Sequence, residues 1–108
     1  MQADDLIFRA LADTTRRAIL RRLAEAEATV TALTAEAAMT QSAVSQHLRV
    51  LRDAGLVSER QAGRHRYYRL QAEPLRVVRD WVGHYEHFWE DRLDRLGATL
   101  RARYDTQD

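Results

Sequence analysis

Thr40 to Arg69 reads TQSAVSQHLRVLRDAGLVSERQAGRHRYYR, and its two halves obey different periods. In the first half Val44, Leu48 and Leu51 fall at i, i+4 and i+7, the apolar stripe of an amphipathic helix. Ser42, Ser45, Gln46 and Arg49 fall at i, i+3, i+4 and i+7 on the opposite face, which carries hydrogen-bonding groups and one positive charge. Thr40 offers an N-cap hydroxyl and Gly55 a residue tolerant of the left-handed conformation past the helix end, so both termini are marked. After Gly55 the pattern becomes LVSERQ, a turn signal at Ala62-Gly63, then HRYYRL. That predicts two short strands joined by a tight, arginine-bearing turn.

A helix followed by a basic hairpin is the recognition half of a winged helix-turn-helix. The expected architecture is mainly α with a small β-hairpin wing, about five helices and two strands, in a single domain over residues 1–108. Helix-turn-helix is expected at about 31–54, the wing at about 56–70 and a C-terminal dimerisation helix at about 74–103.

Working outward, residues 4–11 (DDLIFRAL) predict a short helix with acidic residues at its N-terminal dipole end. Asp13 caps a second helix, TTRRAILRRLAEA, whose Ile19, Leu20 and Leu23 face the core. Its Arg16, Arg17, Arg21 and Arg22 either touch phosphates or form a solvated face with local ion pairs, the simpler reading. A short third helix begins near Thr31, and Met39-Thr40 connects it to the fourth without a glycine. Pro74, the only proline, suits the first turn of a last helix. There Leu75, Val78, Val82, Tyr85, Trp89, Leu93, Leu96 and Leu100 recur by threes and fours, widened by Trp81 and Phe88. A helix of roughly thirty residues is ~45 Å long, more than so small a domain can cover by itself. Pairing with a second copy is expected to supply the missing cover for those aromatic side chains; the alternative is that the tail folds back over its own domain.

Composition narrows the function. The net charge of +1 hides a division: residues 1–40 carry five Arg against six acids, residues 41–70 six against two, and residues 71–108 six against eight. The helix-plus-hairpin segment is thus +4 beside acidic flanks, the footprint of a nucleic-acid reader. All 17 basic residues are Arg, which forks onto phosphate and guanine better than Lys does. Without cysteine there are no disulfides and no thiolate metal or redox sites. No run reaches membrane-span length and the N-terminus lacks a signal-peptide layout, so a cytoplasmic protein with no membrane partner is expected.

Three phrases in order resemble the ArsR/SmtB family of bacterial winged-helix repressors. ALADTTRRAILRRL (Ala10–Leu23) is similar to the family's second-helix signature, with Thr14 where the family usually has Pro. MTQSAVSQHLRVLRDAGLV (Met39–Val57) resembles its recognition helix, and GRHRYYRL (Gly63–Leu70) its wing. The resemblance implies a homodimer built on the first and last helices, an inverted-repeat operator in double-stranded DNA, and repression relieved by an inducer. The implied dimer interface is Leu6, Ile7, Leu75, Val78, Val82, Tyr85, Trp89, Leu93 and Leu96. The family's Cys-x-Cys sensor has no counterpart in TALTAEAAM. Of the family's other zinc pattern, His87-Phe88-Trp89-Glu90 matches His-x-x-Glu. The preceding Asp-x-His fails, because Arg76 stands where its His belongs.

The expected DNA contacts are Gln41, Ser42, Ser45, Gln46 and Arg49 in the major groove, and Arg64, His65 and Arg66 at the minor groove or its phosphates. Arg52, one turn beyond Arg49, either joins these DNA contacts or is instead a solvent or backbone contact. His47, nearer the Val44–Leu48 side, reads as a packed and hydrogen-bonded histidine. Of Tyr67 and Tyr68, adjacent on a strand, one belongs in the core and one outside. Asp80, His84, His87 and Asp91, at i, i+4, i+7 and i+11, form a weak metal or proton-sensing candidate whose simpler reading is a solvated face. No metal and no cofactor is expected; Trp81, Tyr85, Phe88 and Trp89 could line a pocket for an apolar effector, but a core or dimer seam is the simpler reading, and the effector ligand is unknown. Two other functions fit less well. A partner-binding dimerisation module sits poorly with the +4 segment, and a metal-dependent hydrolase on the Asp/His cluster lacks a nucleophile motif and an oxyanion device.

Overall fold

The chain folds as α1 (Ala3–Leu11), α2 (Thr14–Glu25), β1 (Ala28–Thr29), α3 (Val30–Ala37), α4 (Gln41–Asp53), β2 (Val57–Ala62), β3 (His65–Leu70) and α5 (Arg76–Gly83). This is a computed structural model, and it describes residues 2–89, 92, 95–97 and 100. The described residues divide between Val77 and Val78 into two compact units.

Local chemistry places each helix of the first unit. Asp13 caps α2, its Oδ2 accepting from the Arg16 amide at 2.9 Å. Thr29 caps α3 and Thr40 caps α4, each hydroxyl accepting at 3.1 Å from the amide three residues on, Ala32 and Ala43. The third helix therefore starts at Val30, one residue before its expected start. At the far end of α4 the Gly55 amide donates to the Arg52 carbonyl and the Leu56 amide to the Leu51 carbonyl, both at 2.9 Å. With Gly55 at φ +77 this is a Schellman closure, and it delivers Leu56 into the core. The junction between α3 and α4 has no glycine, and Ala38 takes the left-handed conformation there instead, at φ 53 and ψ 39.

The apolar stripes meet in one core: Ile19, Leu20 and Leu23 of α2, Leu33 of α3, Val44, Leu48 and Leu51 of α4, then Leu56, Val57 and Tyr68. Val44, Leu48, Leu51 and Leu56 are the largest side chains in full burial. Each buried leucine contributes about 1.5–3 kcal/mol relative to exposure. Recognition helix and core are thus two faces of one element.

The sheet has three antiparallel strands in the order β1-β3-β2, one more than the hairpin alone predicts. β1 escaped the sequence because two residues are too few to display alternation; its Ala28 pairs with Tyr68 and its Thr29 with Tyr67. Across the hairpin, Ala62 pairs with His65, so the turn residues are Gly63 and Arg64 and Ala62 belongs to the strand. Gly63 at φ +62 is the only one of the two with positive φ, the pattern of a type II′ turn. As expected of adjacent strand residues, Tyr68 is buried and Tyr67 lies on the other side.

Over the described residues the single helix expected over 74–103 is interrupted. A 3-10 turn at Glu73–Leu75 leads into α5, which ends at Gly83. A second 3-10 turn follows at Glu86–Phe88. Glycine disfavours helix by about 1 kcal/mol. The next amides, His84 and Tyr85, reach back only three residues, to Trp81 and Val82. The His84 ring also lies 3.3 Å from the Trp81 carbonyl, competing for that acceptor. Arg92, Arg95–Gly97 and Leu100 are again helical. Among the described residues no helix is long and apolar enough to cross a membrane.

Candidate nucleic-acid interface

A groove of about 410 Å³ runs between α4 and the wing. From α4 it is lined by Gln41, Ser45, Arg49 and Arg52, at i, i+4, i+8 and i+11, one helical stripe turned toward the hairpin. From the wing it receives Gln61, Arg64, His65, Arg66 and Tyr68, and from the start of α3 Thr29 and Thr31. Six of the eight expected DNA contacts are brought together here. Ser42 and Gln46 are exposed on α4 but stand outside the lining.

Thr29, Thr31 and Gln61 are not among the expected contacts, and Arg52, which the sequence leaves open, joins the lining. Gln61 was findable, because it shares a sheet face with Val57 and Glu59. The two threonines were not, since only the short strand β1 brings that segment beside the wing.

The arginines divide by partner. Arg16 donates from Nε to the Ala10 carbonyl at 2.8 Å and from Nη2 to the Arg9 carbonyl at 3.0 Å, and Arg17 donates to the Leu11 carbonyl at 2.7 Å. Together they close the carbonyl end of α1. Arg22 is held by Glu36 at 2.8 Å and by the Ala26 carbonyl at 2.9 Å. These three serve the fold locally. In the wing, Arg60 pairs with Glu27 and lies 4.7 Å over the ring of Tyr67, its cross-strand partner. Arg52 of α4 and Arg66 of β3 both face Glu59, at 3.3 and 3.8 Å. The side chains of Arg49 and Arg64 carry neither hydrogen bond nor ion pair among the described residues.

Among the described residues, three carboxylates sit below their ordinary range. The Tyr68 hydroxyl, then the Arg66 and Arg52 charges, lower Glu59 against partial desolvation. A hydrogen bond from Arg60 lowers Glu27, and the Arg16 amide lowers Asp13. Tyr68 is raised, by burial first and by Glu59 second. His47 is half-buried, its Nδ1 3.4 Å from Arg16 Nη1 and 3.9 Å from Asp13 Oδ2, which is the packed role expected of it.

In the second unit the Asp/His cluster does not converge. Asp80 faces Arg79 at 3.2 Å, His84 turns onto the Trp81 carbonyl, and the His87 ring lies 4.0 Å from that of Phe88. Asp91 lies outside the described residues. No group of three or more metal-capable side chains occurs among the described residues. Of the expected dimer contacts, Ile7 is buried within its own protomer, Leu6 is half-buried, and Leu75 packs against the core of the first unit. Val78 and Val82 are half-buried, while Tyr85, Trp89 and Leu96 are exposed, with Trp81 and Phe88. Leu93 lies outside the described residues.

Comparison with known proteins accords with this geometry. Residues 13–59, from the cap of α2 into β2, match the model of the bacterial regulatory protein family arsR. The HTH-type transcriptional regulator Rv2034 of Mycobacterium tuberculosis is 41% identical over 104 residues, covering 96% of this chain and 94% of that protein. A crystal structure of an ArsR family transcriptional regulator superposes with a TM-score of 0.71 at 36% identity, covering 80% of this chain and 89% of the other. A homodimeric winged helix-turn-helix DNA-binding domain from Mycobacterium bovis, solved in solution, matches with a TM-score of 0.65 at 30% identity, over 81% and 82% of the two chains. The chain belongs to the ArsR family of bacterial regulatory proteins.

Proposed function

We propose that this protein is a homodimeric, cytoplasmic repressor that binds an inverted-repeat operator and acts by occupancy rather than catalysis. The observation that carries the reading is the groove, where Gln41, Ser45 and Arg49 of α4 meet Arg64, His65 and Arg66 of the wing. The two groove arginines without a partner among the described residues, Arg49 and Arg64, sit on opposite walls, one on the helix and one at the wing tip. In this reading α4 enters the major groove, where Gln pairs with adenine and Arg with guanine. Ser42 and Gln46 meet base edges or phosphates from the exposed side of the helix, and the wing tip lies along the adjacent minor groove.

The dimer rests on two supports. The related Mycobacterium bovis domain is homodimeric, and Tyr85, Phe88, Trp89 and Leu96 are exposed on a segment that water solvates poorly. A twofold axis would set two α4 helices about 34 Å apart, one turn of duplex. The test is anisotropy titration of a labelled duplex from the protein's own upstream region against a random duplex, between 50 and 200 mM salt. Tight, salt-sensitive binding to a palindromic segment is expected. Equal affinity for both duplexes would remove α4 as a sequence reader.

A further inference from the structure

Among the described residues, Glu59 is the one carboxylate whose oxygens face arginines from both walls of the groove. Oε1 takes Arg52 Nη1 of α4 at 3.3 Å, and Oε2 lies 3.8 Å from Arg66 Nε of β3. Its position follows from the register. Glu59 pairs across the hairpin with Tyr68, whose ring is buried at the sheet base, and Arg66 pairs with Gln61 on the same face, one step nearer the tip. The carboxylate therefore stands where the sheet face changes from apolar to basic, opposite the last turn of α4.

We propose that Glu59 is a specificity-determining positioning residue, which holds Arg52 and Arg66 away from DNA until the duplex is fully seated in the groove. The proposal rests on the DNA-binding reading above. An exposed arginine–carboxylate pair is weak, so a phosphate in the right place displaces Glu59 readily. On a duplex that is only loosely engaged, no phosphate reaches that place. There Arg52 and Arg66 stay with Glu59, and attraction falls to Arg49 and Arg64. The carboxylate thus weakens indiscriminate binding more than operator binding.

The experiment compares the full chain with Glu59→Gln on a random-sequence duplex, titrated between 50 and 200 mM salt, with melting curves as the control for folding. Glutamine keeps the shape but releases both arginines. Binding to the random duplex should tighten, and its salt slope should steepen by up to ~1.8, since each phosphate contact contributes ~0.9. In a background of Arg52→Gln with Arg66→Gln, the same substitution should leave the slope unchanged. An unaltered slope in the first comparison overturns the proposal. So does an equal steepening in the second, which would mean that Glu59 acts only as bulk charge. If Glu59→Gln does not fold, Glu59→Asp, too short to reach both arginines, should move the slope the same way. A wild-type chain that binds no duplex at 50 mM salt would instead remove the DNA-binding reading itself.

Discussion

Arginines that look alike in the sequence have different work, and single substitutions separate them. Arg64→Ala should lower the salt slope on any duplex by ~0.9, the loss of one phosphate contact. Arg60→Ala should leave the slope unchanged but lower the melting temperature, because Arg60 is committed to Glu27 and to the Tyr67 ring. Titration and melting of both variants check the contrast. Arg49→Ala should cost ~1–3 kcal/mol of discrimination between operator and random duplex, measured by competition, with the dimer intact in sedimentation. None of this division can be read from composition. The +4 charge of residues 41–70 is visible at once, but which arginines are spoken for depends on cross-strand register and on Glu27, 33 residues away from Arg60.

Helix ends decide how well the reader is aimed. Ala38 occupies a left-handed position that costs an L-residue roughly 1–2 kcal/mol, partly offset in glycine by greater freedom when unfolded. Ala38→Gly should therefore stabilise the protein by up to about 1 kcal/mol, read in urea unfolding. Gly55→Ala should do the reverse by a similar amount. There the cause is φ rather than crowding, since an added Cβ would meet Pro74 at an ordinary 3.7 Å. Elements with strong chemical signals were legible: α4 with its stripe and caps, α2 behind Asp13, and the hairpin. β1 was not, being visible only through its partner. The long run of threes and fours predicts an unbroken last helix, but α5 ends at Gly83, whose effect is local and leaves that period unmarked. The groove was legible as a union of recognition helix and wing, but not in its detail. The stripe lining it runs through Gln41 and Arg52, rotated from the most exposed face of the helix.

For the molecule as a whole, acid is the informative perturbation. Asp13, Glu27 and Glu59 all sit below their ordinary values of 3.8, 4.5 and 4.5, so at these three groups the unfolded chain binds more protons than the folded one. Their contribution is complete above those values and is lost as pH falls through the lower folded-state ones. Melting temperature should be level above about pH 5 and fall steadily toward pH 3. In the second unit, Trp89→Ala should weaken self-association, and with it operator affinity; an unchanged dimer in sedimentation would contradict that. The strand β1 has a consequence of its own. β3 is paired on both sides at Tyr67 and Tyr68, but from Arg66 outward it is paired only with β2. Amide hydrogens should therefore exchange slowly at 67–68 and quickly at 61–66, a step in protection along one hairpin. The outer ribbon then works as a compliant finger on a clamped knuckle, able to follow minor grooves of different width while α4 stays fixed to the core.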